Sequence, residues 1–304
     1  MRELVRRFLQ LIRFSHTVFA LPFAALACAL ALATPANRVW SPPSIGLRLT
    51  GVLLCMVFAR SAAMAFNRAV DAKIDALNPR TAIRHLPSGT LTPPQVWLFF
   101  LVNCIGFVGS CLFFLPNWLP LAFSVPVLLW LLGYSFAKRF TSWAHLWLGI
   151  ALALSPVCAW IAVRGEVVIA EPADVLPAAI LGLAIAFWVA GFDIIYACQD
   201  ANFDRSTGLH SIPARLGIHR ALRVSAALHV SMLLVLAVYP IAFPQLSLNW
   251  LYAISLAVVA ILIVRQHTLV SATDLEQVNF AFFNINAVIS FLLASAAILD
   301  TCLR

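Results

Sequence analysis

Apolar runs long enough to cross a bilayer recur from one end of this chain to the other, and no other property limits its fold as tightly. They fall near 17–33, 47–66, 95–114, 118–137, 143–163, 174–195, 221–242, 249–265 and 278–299. Each is close to the roughly 20 apolar residues an α-helix needs to traverse a hydrocarbon core of about 30 Å. Composition agrees: 62% of the 304 residues are hydrophobic and only 11% are charged. A soluble domain needs about a quarter of its residues charged to cover its surface. The expectation is an all-α integral membrane protein, with nine transmembrane helices in a single bundle and residues 1–304 as one polytopic domain.

The basic residues set the orientation. Arg2, Arg6, Arg7 and Arg13 precede the first run, and Arg68, Lys73, Arg80 and Arg84 follow the second. Lys138 and Arg139 follow the fourth, Arg205, Arg215, Arg220 and Arg223 the sixth, and Arg265 the eighth. The alternate connections hold only Arg38, Arg48, Arg164 and Arg304, and Arg60 lies inside the second run. Fifteen against four predicts a cytoplasmic N-terminus and an external C-terminus by the positive-inside rule. An even number of spans would put basic connections on the wrong side. The net charge of +8 therefore reads as membrane topology; the basic residues form no stripe or tail of the kind that binds nucleic acid.

The first run could pass for a signal peptide, because Ala31-Leu32-Ala33 resembles a cleavage site. It extends from Thr17 to Ala33, longer than an h-region of roughly 7–15 residues, which predicts a retained helix. The seven cysteines contain no CxxC pair and mostly sit inside apolar runs, as small hydrophobes do, so neither a disulfide framework nor a structural metal site is expected.

Two connections, 67–94 and 196–220, are longer than the other cytoplasmic links and carry the chemistry. If the second span continues as a helix, Asn67, Asp71 and Asp75 stand at i, i+4 and i+8 and drift only about 40° per step, so they share one face. Arg60, seven residues upstream of Asn67, lies about 20° from it on that face. At the end of the sixth span Tyr196, Asp200 and Asp204 repeat the spacing, with Asp193 on the same face. Solvated helix ends, with each Asp paired to Lys73, Arg80 or Arg205, would be energetically modest. Two ladders of identical spacing suggest more. Four carboxylates in one cavity repel one another unless a cation sits between them. Short aspartates suit Mg²⁺, which keeps waters and takes further ligands from phosphate.

These residues resemble the UbiA superfamily of membrane prenyltransferases. The family's first motif is Asn followed by Asp at +4 and +8, with an Arg seven residues upstream; here these are Arg60, Asn67, Asp71 and Asp75, continued by TAIRHLPSG. Its second motif, Tyr-x₃-Asp-x₃-Asp, is similar to Tyr196, Asp200 and Asp204, and GYSFAKRFT supplies the Tyr134 and Lys138 of a middle span. Arg68 departs from the second Asp that many members carry there, and LHSIP at 209–213 from a Lys-Ser-Thr run. Strings such as FARSAAMAFNRAVDAKIDALNPRTA and AFFNINAVIS look like a bacterial branch of 4-hydroxybenzoate polyprenyltransferases. That branch also resembles enzymes that prenylate 1,4-dihydroxy-6-naphthoate.

The resemblance implies Mg²⁺ held by Asn67, Asp71, Asp75, Asp200 and Asp204, bridging the diphosphate of a polyprenyl donor. Arg68, Lys138 and Tyr196 are then substrate contacts, and the Tyr134 ring faces the allylic cation that forms as diphosphate departs. Arg60 either holds the acceptor's carboxylate or the diphosphate, or pairs structurally with Asp71; a charge inside a span favours function. Asp193 either contacts substrate or neutralises a nearby Arg or Lys. The implied partners are polyprenyl diphosphate, an aromatic acid and the lipid bilayer, with no nucleic acid and no obligate protein partner. The implied place is the cell's inner or plasma membrane, with the site facing the cytoplasm and the product a quinone precursor.

A secondary transporter is the rival class, but its cation sites lie near mid-membrane on broken helices, not at cytoplasmic helix ends. His16, His145 and His229 share no ligand spacing and read as packed or interfacial histidines. Asn279, Asn284 and Asn286 read as interhelical hydrogen-bonders, and Trp40, Trp97, Trp118 and Trp250 as interfacial belts.

Overall fold

The computed structural model describes residues 2–12, 19–34 and 42–303, with side chains from residue 6 in the first stretch and from residue 44 in the third. Among the described residues every regular element is helical. The elements are α1 (Arg2–Leu11), α2 (Leu21–Ala33), α3 (Pro42–Leu77), α4 (Pro93–Ser110), α5 (Leu119–Ala137), α6 (Ala144–Ala170) and α7 (Leu176–Ala197). They continue as α8 (Ala201–Ser206), α9 (Ile212–Leu216), α10 (Ile218–Ala242), α11 (Trp250–Thr268), the single turn α12 (Val278–Phe280) and α13 (Asn286–Cys302).

Eight of these helical stretches are long and apolar enough to cross a membrane, which makes the chain a multi-pass membrane protein. The sequence predicts nine. The difference is α2, whose 13 residues rise only about 20 Å. Residues 13–18, 35–41 and 304 lie outside the described residues, and with them the start of the predicted first span, Arg13, His16, Arg38, Trp40 and Arg304. Arg48, at the edge of the second run, and Arg164, predicted in an external connection, lie within α3 and α6 and are buried.

By its contacts the chain forms two compact units, 1–17 with 42–136 and 18–41 with 137–304. The first is built on α3, whose 36 residues rise about 54 Å, well beyond one hydrocarbon thickness of about 30 Å. The helix therefore continues past its apolar part and carries its polar end, from Asn67 to Leu77, as a rigid extension. Small residues bring its neighbours close. Ala62 and Ala65 are wholly buried in a cluster with Leu11, Leu91, Val96 and Phe100, and Leu128 and Leu132 of α5 pack on the same cluster. A Cβ on Gly106 of α4 would come within 2.8 Å of the Phe58 ring. α4 starts where Thr92 and Gln95 form a reciprocal capping box around two prolines, and α1 is tied down by Phe8 stacking on Phe99 at 4.5 Å.

In the second unit α7 is the central helix, packed on α6 and α10, and it is the most buried of the spanning elements. A Cβ on Gly149 of α6 would collide with the Ala186 carbonyl oxygen, so glycine there sets how closely α6 and α7 approach. Polar side chains join the remaining helices, as expected where lipid offers no hydrophobic drive between them. Trp188 Nε1 donates to Asn286 Oδ1 at 3.0 Å, Ser225 Oγ to the Gly191 carbonyl at 2.7 Å, and Tyr252 Oη to the Leu236 carbonyl at 2.8 Å. Asp300 of α13 accepts from the backbone N–H groups of Asn249 and Tyr252, both at 2.8 Å, and so caps α11 from a neighbouring helix. The central position of α7 matters because its cytoplasm-predicted end carries the second ladder.

Candidate active site

The first ladder is a helical surface, as the spacing predicts. α3 runs unbroken through Asn67, Asp71 and Asp75. Asn67 Nδ2 donates to Asp71 Oδ2 at 2.8 Å, and Arg68 Nη1 donates to Asn67 Oδ1 at 3.0 Å. Arg68 is therefore tied to the metal-ligand candidate it adjoins. Asp75 is buried, and Arg84 spans its carboxylate with 2.7 Å contacts to both oxygens. Lys73 and Arg80, the partners weighed on sequence, do not take this place. The connection folds back to bring Arg84 there: Thr81 Oγ1 donates to the Asp75 carbonyl at 2.9 Å, and Arg7 Nη1 donates to the Thr90 carbonyl at 3.0 Å. The imidazole of His85, in the same connection, is pushed below its ordinary pKa by burial and by the guanidinium groups of Arg68 and Arg7. Arg60 is the odd member. Its Nε is buried with no hydrogen-bond partner among the described residues. Tyr134 is partly buried near the end of α5.

The second ladder is less regular than its spacing implies. α7 ends at Ala197, a 3₁₀ turn covers Cys198–Asp200, and α8 begins at Ala201. A 3₁₀ turn winds tighter than an α-helix, so Asp200 and Asp204 are rotated out of the simple i, i+4 register with Tyr196. Asp200 and Asp204 are buried, and Lys138 Nζ lies 3.4 Å from Asp204 Oδ2. The Lys138 carbonyl accepts from the His210 N–H at 2.7 Å, which brings the connection after α8 beside the α5–α6 link. Asp193 pairs with His145, Oδ2 to Nδ1 at 2.7 Å, where the sequence suggests an Arg or Lys. His145 is fully buried, as a packed histidine should be, but it is also a bridge. Its Nε2 accepts from the Ile212 N–H at 3.3 Å, which leaves the ring proton on Nδ1 to donate to Asp193.

Both ladders thus offer hard oxygen donors beside fixed cations. Among the described residues no three His, Cys, Asp or Glu side chains converge into a ready-made metal cage. Carboxylate and amide oxygens in short sets fit an ion that keeps several waters and completes its shell on phosphate, which is the habit of Mg²⁺. The donor chemistry fits that ion.

Comparison with known proteins decides the family. The sequence model of the UbiA prenyltransferase family matches residues 20–288. The chain belongs to that family. It is 28% identical over 233 residues to a 4-hydroxybenzoate octaprenyltransferase of Methylococcus capsulatus, covering 77% of this chain and 75% of that one. To the protein of the same name from Aeromonas hydrophila it is 30% identical over 241 residues, 79% of each chain. The apo structure of a UbiA homologue from Aeropyrum pernix superposes with a TM-score of 0.80 at 30% identity, over 94% of this chain and 98% of that one. A UbiA homologue from Archaeoglobus fulgidus, solved bound to DMAPP and Mg²⁺, shares the fold at TM-score 0.67 and 16% identity, over 98% and 100% of the two chains.

Membership in the UbiA family makes the chain a prenyltransferase and removes the transporter reading. Three neighbours of the candidate residues are not evident from the sequence. Arg84 was visible as the Arg of TAIRHLPSG, nine residues after Asp75, but nothing local shows that the connection folds back. His145 carries no signal of its own, since 48 residues separate it from Asp193. Phe282, whose ring lies 4.4 Å from that of Tyr196, sits in another span altogether.

Proposed function

We propose that the chain transfers a polyprenyl group from polyprenyl diphosphate to the ring of 4-hydroxybenzoate, with Mg²⁺, as a step of quinone biosynthesis. The observation that carries this reading is the pairing of carboxylate donors with fixed cations at the ends of α3 and α7, in a member of the UbiA family. Asn67, Asp71, Asp75, Asp200 and Asp204 would hold the metal. Bound there, Mg²⁺ would neutralise the diphosphate and so ease its departure from the allylic carbon.

The chain's own residues do the rest. Arg68 and Lys138 bind phosphate oxygens, and Tyr196 borders the donor. Tyr134 presents its ring face to the developing allylic cation, a contact of about 0.5–2 kcal/mol. Arg60, with a buried Nε that no described residue satisfies, binds the acceptor's carboxylate, which supports an acid as the second substrate. Asp193, held by His145 through one oxygen, contacts substrate. The relatives named for 4-hydroxybenzoate favour the one-ring acid over the dihydroxynaphthoate. The reading includes a single functional domain over 1–304 in the cell's inner or plasma membrane, nine spans, a cytoplasmic N-terminus, an external C-terminus and a site open to the cytoplasm.

Purified protein, a long-chain prenyl diphosphate and Mg²⁺ test it, with both acceptors offered at equal concentration. The expected result is prenylated 4-hydroxybenzoate with stoichiometric diphosphate. A kcat/KM preference for the naphthoate of more than about tenfold would overturn the acceptor, because pocket shape alone distinguishes such rings by only a few kcal/mol. Turnover of neither would overturn the quinone reading.

A further inference from the structure

Between α12 and α13 the last span opens into a π-helical turn, Ala281–Ile285. A π-turn holds an extra residue and loosens the backbone ladder, so it persists where something holds it, and such turns gather at functional sites. Here two fully buried amides hold it. Gln266 Nε2 of α11 donates to the Ala281 carbonyl at 2.9 Å, and Asn286 Nδ2 donates to the Phe282 carbonyl at 2.8 Å. Asn286 is fixed in turn by Trp188 Nε1 on α7. Placing two amides at complete burial inside membrane spans is costly, and this set is spent on one distorted turn.

The turn delivers Phe282 to α7. Its ring lies 4.4 Å from Tyr196 and 5.3 Å from Phe192, and Phe19 closes the group at 5.7 Å from Phe282. Trp188, Phe192 and Tyr196 stand at four-residue steps along α7, so an aromatic row runs to the end of α7, just before the 3₁₀ turn that carries Asp200. Trp188 and Phe192 are buried, whereas Tyr196 and Phe282 stay partly exposed at the end nearest the carboxylates. A partly exposed ring pair close to the proposed diphosphate site offers an apolar, polarisable wall and brings no cation to meet a carboxylate. It suits the isoprene units next to the diphosphate, not the aromatic acid.

We propose that the π-turn Ala281–Ile285 is a donor-specificity element: by pressing Phe282 onto Tyr196 it builds the wall against which the isoprenoid segment nearest the diphosphate packs. This rests on the prenyl-transfer reading. Phe282 is a substrate contact, and Gln266 and Asn286 are positioning residues that act through it.

The test compares wild type with Phe282→Leu, Phe282→Tyr and Asn286→Leu, using a thio-bridged, unreactive polyprenyl diphosphate and inorganic diphosphate as binding probes with Mg²⁺. Phe282→Leu should weaken the prenyl probe and raise donor KM roughly five- to tenfold, leaving inorganic diphosphate affinity and acceptor KM within about twofold. Phe282→Tyr, which keeps the ring, should match wild type, and Asn286→Leu should move the same parameters as Phe282→Leu. Wild type that binds inorganic diphosphate but not the prenyl probe overturns the prenyl-transfer reading and this inference together. Wild type that binds the prenyl probe, with Phe282→Leu binding it equally well or shifting acceptor KM instead, overturns this inference alone.

Discussion

Arg164→Met tests how much of the second unit's stability rests on one buried polar cluster. Arg164 breaks the helical geometry of α6, with φ −115° and ψ 17°, and its guanidinium binds a carboxylate and backbone carbonyls. Nη2 meets Asp174 Oδ1 at 2.6 Å, Nε meets Oδ2 at 2.9 Å, and Nη1 reaches the Thr34 and Ala31 carbonyls at 2.9 and 3.3 Å, at the C-terminal end of α2. Trp160 Nε1 also donates to Asp174, and the guanidinium lies 5.7 Å from the Trp160 ring centroid. The Arg164 and Asp174 side chains are only 3% and 11% exposed. Methionine would leave Asp174 with the indole as its remaining described side-chain donor and uncap two carbonyls of α2. Removing one partner of a buried pair costs about 3–5 kcal/mol, whereas replacing both with apolar groups is often near neutral. Arg164→Met should therefore destabilise by about that amount, and the double variant Arg164→Met/Asp174→Leu should fall short of additivity by about 2 kcal/mol or more. Reversible unfolding in mixed detergent and SDS micelles reads both. Arg164 lies 19 residues along α6 from His145, about 28 Å, so kcat/KM of the folded variant should equal wild type. A cost below about 1 kcal/mol, or an additive double variant, would refute the reasoning.

Asp71→Ala and Asp200→Ala should each lower transfer by orders of magnitude and abolish saturation by Mg²⁺ while leaving membrane insertion intact; near-wild-type turnover in either sinks the two-ladder site. Tyr134→Phe should keep most activity and Tyr134→Leu should slow it, and equal behaviour of the two would reduce Tyr134 to packing. With native cysteines replaced, Pro79→Cys and Ser206→Cys should label only from the cytoplasm and Glu171→Cys only from outside; labelling of all three from one side refutes nine spans. The depressed His85 pKa means that protonation opposes the fold. That contribution is present above the ordinary histidine range and is lost as pH falls through the lowered value. Melting temperature should thus drop as pH falls below the ordinary histidine range, and His85→Gln should flatten that slope; an unchanged slope removes His85 as its source.

The sequence by itself determined what depends on neighbours along the chain. Apolar runs of spanning length become helices in lipid whatever surrounds them, and a four-residue step places Asn67, Asp71 and Asp75 on one helical face wherever α3 goes. Even there the local rule has a limit: the same step at Tyr196, Asp200 and Asp204 crosses a 3₁₀ turn that spacing does not reveal. The motifs of the first and second ladders were legible for the same reason, being contiguous strings. Tertiary structure alone decided who answers each charge. Arg84 rather than Lys73 or Arg80 spans Asp75, His145 holds Asp193 from another helix, and Arg164 leaves its predicted external connection to bind Asp174 and the end of α2. It also decided that Asn286 serves a π-turn while Asn279 and Asn284 stay exposed. A buried charge or amide takes whichever partner the packed helices bring within about 3 Å, and that choice depends on helix crossings and turn geometry set by contacts scores of residues apart.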